Sequence, residues 1–331
     1  MFIFWIFIFV VSLIVLIKGA DWLIESAEKI GLAVGLSSFI VGVIIVGAGT
    51  SLPELFSSLA AVLQKVPEVV VANVVGSNIA NILLIVGISA VIGRRLVVTK
   101  NLIDIDLPLL ATVTVILLGI LWDKQVNLGE SLLMLISYII YLLYSVFHKD
   151  SEDVKEMPEI FKIEQKKISE LVVKGGEQKL RSKVLVRDLF FLILGILGLI
   201  LGAKYLIESL VKISEMLNVI PGVIAITAVA VGTSLPELIV SAKAAFQKKS
   251  EIALGNIFGS NIFNSLIIVG LPGLFEILPV DHQTFNIGIP TMIIATILFI
   301  ISGISRRIHL WEGAFYLAIY TLFIAKLFKW F

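Results

Sequence analysis

The sequence predicts an all-α membrane protein: ten transmembrane helices in two inverted five-helix repeats, with helices 2 and 7 broken. Three observations predict it. Of 331 residues, 58% are hydrophobic and only 15% charged, against about 45–50% apolar and about 25% charged in soluble domains. Adding 183 to a position in the first half reaches a matching residue in the second half, without gaps. Each copy contains five apolar runs, an odd number, so the second copy must enter the bilayer from the opposite side.

Hydropathy places the runs at 2–17, 32–63, 68–92, 103–122, 128–147, 187–205, 219–246, 252–275, 285–303 and 310–328. Runs 2 and 7 are too long for one simple crossing, which fits tilted or interrupted helices. The start, "MFIFWIFIFVVSLIVLI", has no basic leader and no small-residue cleavage site, and reads as a retained first span. The domains follow: 1–147 for the first repeat, 148–186 for a polar linker, and 187–331 for the second repeat. The linker's charges nearly cancel, and Ile160, Ile163, Ile168, Leu171 and Val172 have rough helical spacing, as in an amphipathic cytoplasmic helix. No calcium-loop pattern occurs in it.

Orientation is read from Lys and Arg. With the N-terminus outside, cytoplasmic loops carry 19 such residues and outer loops 6. Both termini are therefore expected outside, in a multi-pass protein of the cell membrane. A net charge of +1 suggests no nucleic acid partner, and no obligate protein partner is evident. With no cysteine, disulfides and thiolate metal sites are excluded. His148, His282 and His309 fall near expected span ends and read as surface residues.

The strongest repeat is "GTSLPEL", from Gly49 to Leu55 and again from Gly232 to Leu238. Around it, "GTSLPELFSSLAAVLQK" aligns with "GTSLPELIVSAKAAFQK", and "NVVGSNIAN" (73–81) with "NIFGSNIFN" (256–264). Two unrelated apolar helices would share Leu, Ile and Val. Here the shared residues are Gly, Pro, Glu, Asn and Ser.

Each motif places a helix breaker beside a carboxylate. Pro53 and Pro236 remove backbone donors, and Gly49 and Gly232 loosen the same turns. The expectation is a broken helix with freed carbonyls, tolerated at membrane depth only where it is buried in protein or lines a cavity. An acid at the bilayer centre costs roughly 2.5–3.5 kcal/mol on insertion scales and marks a pathway or site. Inverted repeats bring Glu54 and Glu237 together near the midplane, where two carboxylates repel unless a hard cation lies between them.

Asn73, Ser77 and Asn81 share one face of span 3, and Asn256, Ser260 and Asn264 share the matching face of span 8. Gly76 and Gly259 are expected to let helices approach closely. Asn73, Asn78, Asn256 and Asn261 read as interhelical hydrogen-bonding residues. Ser77, Asn81, Ser260 and Asn264 read as part of an ion site with Thr50, Ser51, Thr233 and Ser234. The donors are all oxygen, the set that calcium takes six to eight at a time and sodium also accepts. They make no case for zinc or copper. With both glutamates ionised, an empty site would resist reorientation until a divalent ion or several monovalent ions loaded, so counter-exchange is expected. No cofactor and no enzymatic constellation is read; the ions are substrates.

Paired "GTSLPE…GSNIxN" repeats in a ten-span inverted chain resemble the cation/calcium exchanger superfamily, specifically sodium/calcium exchangers of prokaryotic size. The resemblance covers nearly everything but 148–186. It implies electrogenic secondary antiport of sodium against calcium by alternating access, with the first span of each half sliding across a rigid core. It implies ligands at Thr50, Ser51, Glu54, Ser77 and Asn81 and at Thr233, Ser234, Glu237, Ser260 and Asn264, with backbone carbonyls near Gly47 and Ala230. The glutamates would be shared by calcium and sodium, the hydroxyls serving mainly sodium. Potassium-dependent relatives, and some archaeal ones, carry aspartate where this chain has Asn264, so potassium independence is expected. The large regulatory domain of animal exchangers is absent. The nearest rival is a calcium/proton antiporter of the same fold, which would show a "GNxxE"-type repeat; a passive cation channel is more remote.

Overall fold

The computed structural model describes residues 2–33, 49–98, 106–147 and 177–329. Gly47, the first part of expected span 2, His148 and most of the expected linker lie outside these residues.

The described chain is helical almost throughout. It runs α1 (Phe2–Ala33), α2 (Leu52–Leu63), α3 (Glu68–Ile79), α4 (Gly87–Gly93), β1 (Arg95–Val97), α5 (Leu107–Ile120), β2 (Gln125–Val126) and α6 (Leu128–Phe147). It continues α7 (Glu177–Leu217), α8 (Pro221–Ile224), α9 (Ala230–Thr233), α10 (Leu235–Phe246), α11 (Ser250–Phe263), β3 (Leu278–Pro279), α12 (Ile289–Ile304), β4 (Arg307–His309) and α13 (Leu310–Leu327). π-helical turns at Ala80–Val86, Ala225–Val229 and Asn264–Ile268 join α3 to α4, join α8 to α9 and extend α11.

Among the described residues six helices are long and apolar enough to cross a bilayer, and the pair Pro221–Thr233 and Leu235–Phe246, bent by 46°, is long and apolar enough when taken together. Leu52–Leu63, Leu107–Asp123 and Leu128–Tyr144 are shorter apolar helices, on expected spans 2, 4 and 5. The helix ends differ from the hydropathic limits. α1 continues to Ala33, and α7 begins at Glu177 and ends at Leu217. Exposed pairs one turn apart, Lys18–Asp21 at 3.1 Å and Lys212–Glu215 at 3.0 Å, sit on these extensions. Hydropathy locates the part of a helix at membrane depth. Hydrogen bonding and such pairs carry the helix on into polar surroundings.

Two short antiparallel ribbons join the halves. In the first, Arg95 lies opposite His309, Leu96 opposite Ile308 and Val97 opposite Arg307. In the second, Gln125 lies opposite Pro279 and Val126 opposite Leu278. The repeat offset carries Arg95 to Leu278 and Val126 to His309, so each ribbon pairs non-equivalent strands of the two halves. α5, about 21 Å long at 1.5 Å per residue, leads from the first ribbon to the second. Its repeat mate α12 leads from the second ribbon to the first.

Small residues set two close approaches. A Cβ on Gly19 would lie 2.7 Å from the backbone nitrogen of Leu199, and one on Gly202 2.8 Å from that of Leu16. The offset exchanges these two contacts, so α1 and α7 meet backbone to backbone. Gly76 leaves no room for a Cβ because the Ile226 carbonyl of the π-helical turn before α9 lies against it. The matching expectation for Gly259 is not met among the described residues, none of which lies within 4 Å of its would-be Cβ. α3 is buried along nearly its whole length and forms the centre of the molecule, while α1 and α7 expose much of their apolar surface.

Candidate functional site

Ser51 and Ser234 occupy the turns before α2 and α10, and each helix carries proline in its first two positions. Pro is favoured there because its missing donor is one that helix starts leave unpaired anyway. The glutamate follows in the first turn, so Glu54 and Glu237 sit at the positive end of their helices. Three carbonyls around the breaks are taken up locally. The Gly49 carbonyl accepts from Leu52 N at 3.1 Å, and Ser51 O from Leu55 N at 3.2 Å. The turn tightens rather than opens. The Ala230 carbonyl likewise accepts from Ser234 N at 3.2 Å. It keeps a second lone pair.

All ten expected residues are buried, from Ser51 at 0% exposure to Thr50 at 9%. The two motifs grip each other. Ser51 Oγ donates to Glu237 Oε1 at 3.0 Å, and Ser234 Oγ donates to Glu54 Oε1 at 2.9 Å. These bonds exchange under the repeat offset. Ser260 Oγ adds a donation to Glu237 Oε1 at 3.3 Å. Thr233 Oγ1 donates to the Val229 carbonyl at 3.0 Å, and Thr50 Oγ1 to Asn256 Oδ1 at 3.5 Å.

The amides are exchanged in the same way. Asn264 Nδ2 donates to Asn78 Oδ1 at 3.1 Å, and Asn81 Nδ2 donates to Asn261 Oδ1 at 3.1 Å. Asn81 and Asn264 each stand at the start of a π-helical turn, Asn81 one residue in and Asn264 at its first position. Asn73 Nδ2 reaches Ser58 Oγ at 3.4 Å, and Asn256 Nδ2 reaches Ser241 Oγ at 3.1 Å. The interhelical reading of Asn73, Asn78, Asn256 and Asn261 therefore holds.

Of the ten expected residues, five keep a buried oxygen with no hydrogen-bond partner: Glu54 Oε2, Glu237 Oε2, Ser77 Oγ, Asn81 Oδ1 and Asn264 Oδ1; Asn73 Oδ1, Ser89 Oγ, Gln283 Oε1 and the Tyr320 hydroxyl are also unpartnered. Leaving such atoms unpaired is costly in a low-dielectric interior. Among the described residues neither glutamate has an ion pair, and no cluster of three His, Cys, Asp or Glu side chains occurs. Two carboxylates supply the negative charge, and neutral oxygens supply the rest. Sequence reasoning missed two features of this arrangement. One is the π-helical turn at each asparagine, which leaves no mark on hydropathy. The other is Ser265, whose Oγ accepts from Asn78 Nδ2 at 2.9 Å; the repeat offers no signal for it, because its counterpart is Ile82.

The family model described as sodium/calcium exchanger protein matches residues 4–147 and 188–329. The chain belongs to the sodium/calcium exchanger family. Within the cation/calcium exchanger superfamily it is of the prokaryotic type, and it is a multi-pass integral membrane protein. It is 34% identical to the sodium/calcium exchanger MaX1 of Methanosarcina acetivorans, over 97% of this chain and 97% of that protein. It is 30% identical to the inner membrane protein YrbG of Escherichia coli, over 88% of this chain and 86% of that one. Solved structures of the sodium-calcium exchanger NCX_Mj share the fold. One, soaked with 10 mM Na+ and zero Ca2+, aligns at a TM-score of 0.62 and 30% identity, covering 99% of this chain and 100% of that one. The gap between the two matched segments falls on the expected linker.

Proposed function

We propose that this chain is a secondary active antiporter that exchanges sodium for calcium, electrogenically and without potassium, by alternating access. One observation carries the reading. Five of the ten expected residues, Glu54, Glu237, Ser77, Asn81 and Asn264, each keep a buried oxygen without a partner, and all five oxygens can ligate a cation. Oxygen donors of mixed charge and flexible geometry suit calcium. The same set, divided among smaller groups with Thr50, Ser51, Thr233, Ser234 and Ser260, suits several sodium ions.

The mechanism follows from charge. Two ionised glutamates without a cation make a doubly negative buried site, and moving it past a low-dielectric barrier is expensive. Calcium, or sodium ions in its place, neutralises it. Reorientation is then tied to loading on each side, which is the condition for exchange. The reciprocal Ser51–Glu237 and Ser234–Glu54 bonds, the crossed ribbons, and the opposite senses of α5 and α12 between them support ten spans in two inverted five-span repeats. The backbone contact of α1 with α7 supports their moving as one body across the remainder. Lys and Arg asymmetry supports termini outside a cell membrane.

Calcium uptake into proteoliposomes, driven by an outward sodium gradient with the pH gradient collapsed, tests the reading. Uptake should follow the sodium gradient and carry net charge, and should be indifferent to potassium. Uptake that instead follows a proton gradient would identify a calcium/proton antiporter. Flux that needs no counter-ion would identify a channel.

A further inference from the structure

We propose that the ribbon of β1 and β4 is a binding site for the phosphate of an anionic phospholipid. The ribbon's inner residues, Leu96 and Ile308, are buried, while Arg95, Val97, Arg307 and His309 face outward on both strands. Arg95 stands opposite His309, and Arg307 opposite Val97. That makes the two arginines diagonal neighbours on one face, with Cβ atoms about 7–8 Å apart at most. Two guanidiniums at this spacing can hold one phosphate between them.

The flanking backbone fixes the face. Arg94 and Arg306 both take left-handed conformations, at φ 61° and 62°, where α4 and α12 give way to the strands. Val98 N donates to Arg306 O at 3.0 Å, and Leu310 N to Arg94 O at 3.1 Å. Four arginines, all exposed, are thereby held around one ribbon with no ion pair among the described residues. The one carboxylate in the ribbon and the first turn of α13, Glu312, is occupied: its Oε2 accepts from His309 N at 2.7 Å and its Oε1 from Ser302 Oγ at 3.4 Å. Like charges crowded on a ribbon destabilise it unless an anion bridges them.

The surroundings identify the anion. Ile304, Trp311 and Phe315 are exposed beside the arginines, at 64%, 75% and 71%. Trp311 and Phe315 lie one turn apart on α13. Exposed aromatics at a helix end mark the level where lipid headgroups meet acyl chains. Trp311 and Phe315 offer the acyl chains a surface while the arginines offer the phosphate a charge. Basic clusters between helices on the cytoplasmic side recognise anionic headgroups in this way, and the sequence assigns the ribbon to that side. The second ribbon has no such face: its strand residues are Gln125, Val126, Leu278 and Pro279.

The test is native mass spectrometry of the full chain in detergent, titrated with phosphatidylglycerol or phosphatidylcholine. The unaltered protein should bind phosphatidylglycerol about tenfold or more tightly. R95Q/R307Q should lose that preference, while K204Q/K326Q, which removes equal charge elsewhere, should keep it. Calcium transport by R95Q/R307Q in phosphatidylcholine liposomes should be unchanged, which checks its fold. Equal binding of the two lipids, an undiminished preference in R95Q/R307Q, or displacement of the lipid by equimolar inorganic phosphate would each overturn the proposal.

Discussion

The two halves of the site look alike in sequence and differ in how completely they are bonded. On the second-repeat side, Glu237 takes two hydroxyl donations, from Ser51 and Ser260. On the first-repeat side, Glu54 takes one, from Ser234, and Ser77, the mate of Ser260, has no partner. The amides reverse the pattern. Asn78 is anchored by Ser265, whereas Asn261 Nδ2 faces no acceptor because Ile82 stands where a serine would. The difference teaches that a sequence repeat supplies matching side chains without matching restraint. Among the ten expected residues, the first-repeat half leaves the oxygens of Glu54, Ser77 and Asn81 unpartnered and the second only those of Glu237 and Asn264, so the first has more to gain from a cation.

The largest effect should ignore this difference. E54Q and E237Q should each lower sodium-driven calcium flux about 100-fold or more, since each removes one of two buried charges. Retention of flux by either one, measured in proteoliposomes, would break the pairing. Next comes the choice of ion. N264D adds a third carboxylate and should tighten calcium binding about tenfold, because ligand charge tunes such affinities. N81D should do the same if the halves are equivalent in binding, and isothermal titration compares them.

A smaller effect should separate the halves. S260A should cost the ion-free protein about 1 kcal/mol, the net worth of a buried hydrogen bond. S77A should leave the ion-free melting temperature unchanged and weaken calcium-induced stabilisation. Equal losses in both would erase the comparison. A shift no larger than that of S260A is expected for S265A. It leaves Asn78 in the condition of Asn261 and should lower stability by about 1 kcal/mol, read as a melting shift without calcium.

Much of this was legible in the residues. Glu54 and Glu237 stand out because apolar runs rarely hold carboxylates, and the four-residue spacing of Asn73, Ser77 and Asn81 gives their shared face. Partners were less legible. Spacing assigns a residue to a face but does not say which amide meets which, so the exchange of Asn78 and Asn261 between halves appears only in three dimensions. The break was legible at Pro53 and Pro236, and its consequence was not: the Gly49 carbonyl is taken up by a tighter turn. Helix limits were blurred because α1 and α7 continue past their apolar segments.

The crossed ribbons have a consequence for how the chain is held together. Each half lends one strand to each end of the other, so the halves are laced at both ends by hydrogen bonds and at the centre by the serine–glutamate exchange. None of these ties passes through residues 148–176. A chain severed there keeps every one of them. The molecule is in this sense two interlocked polypeptides that happen to be translated as one, and co-expressed halves should find each other and assemble.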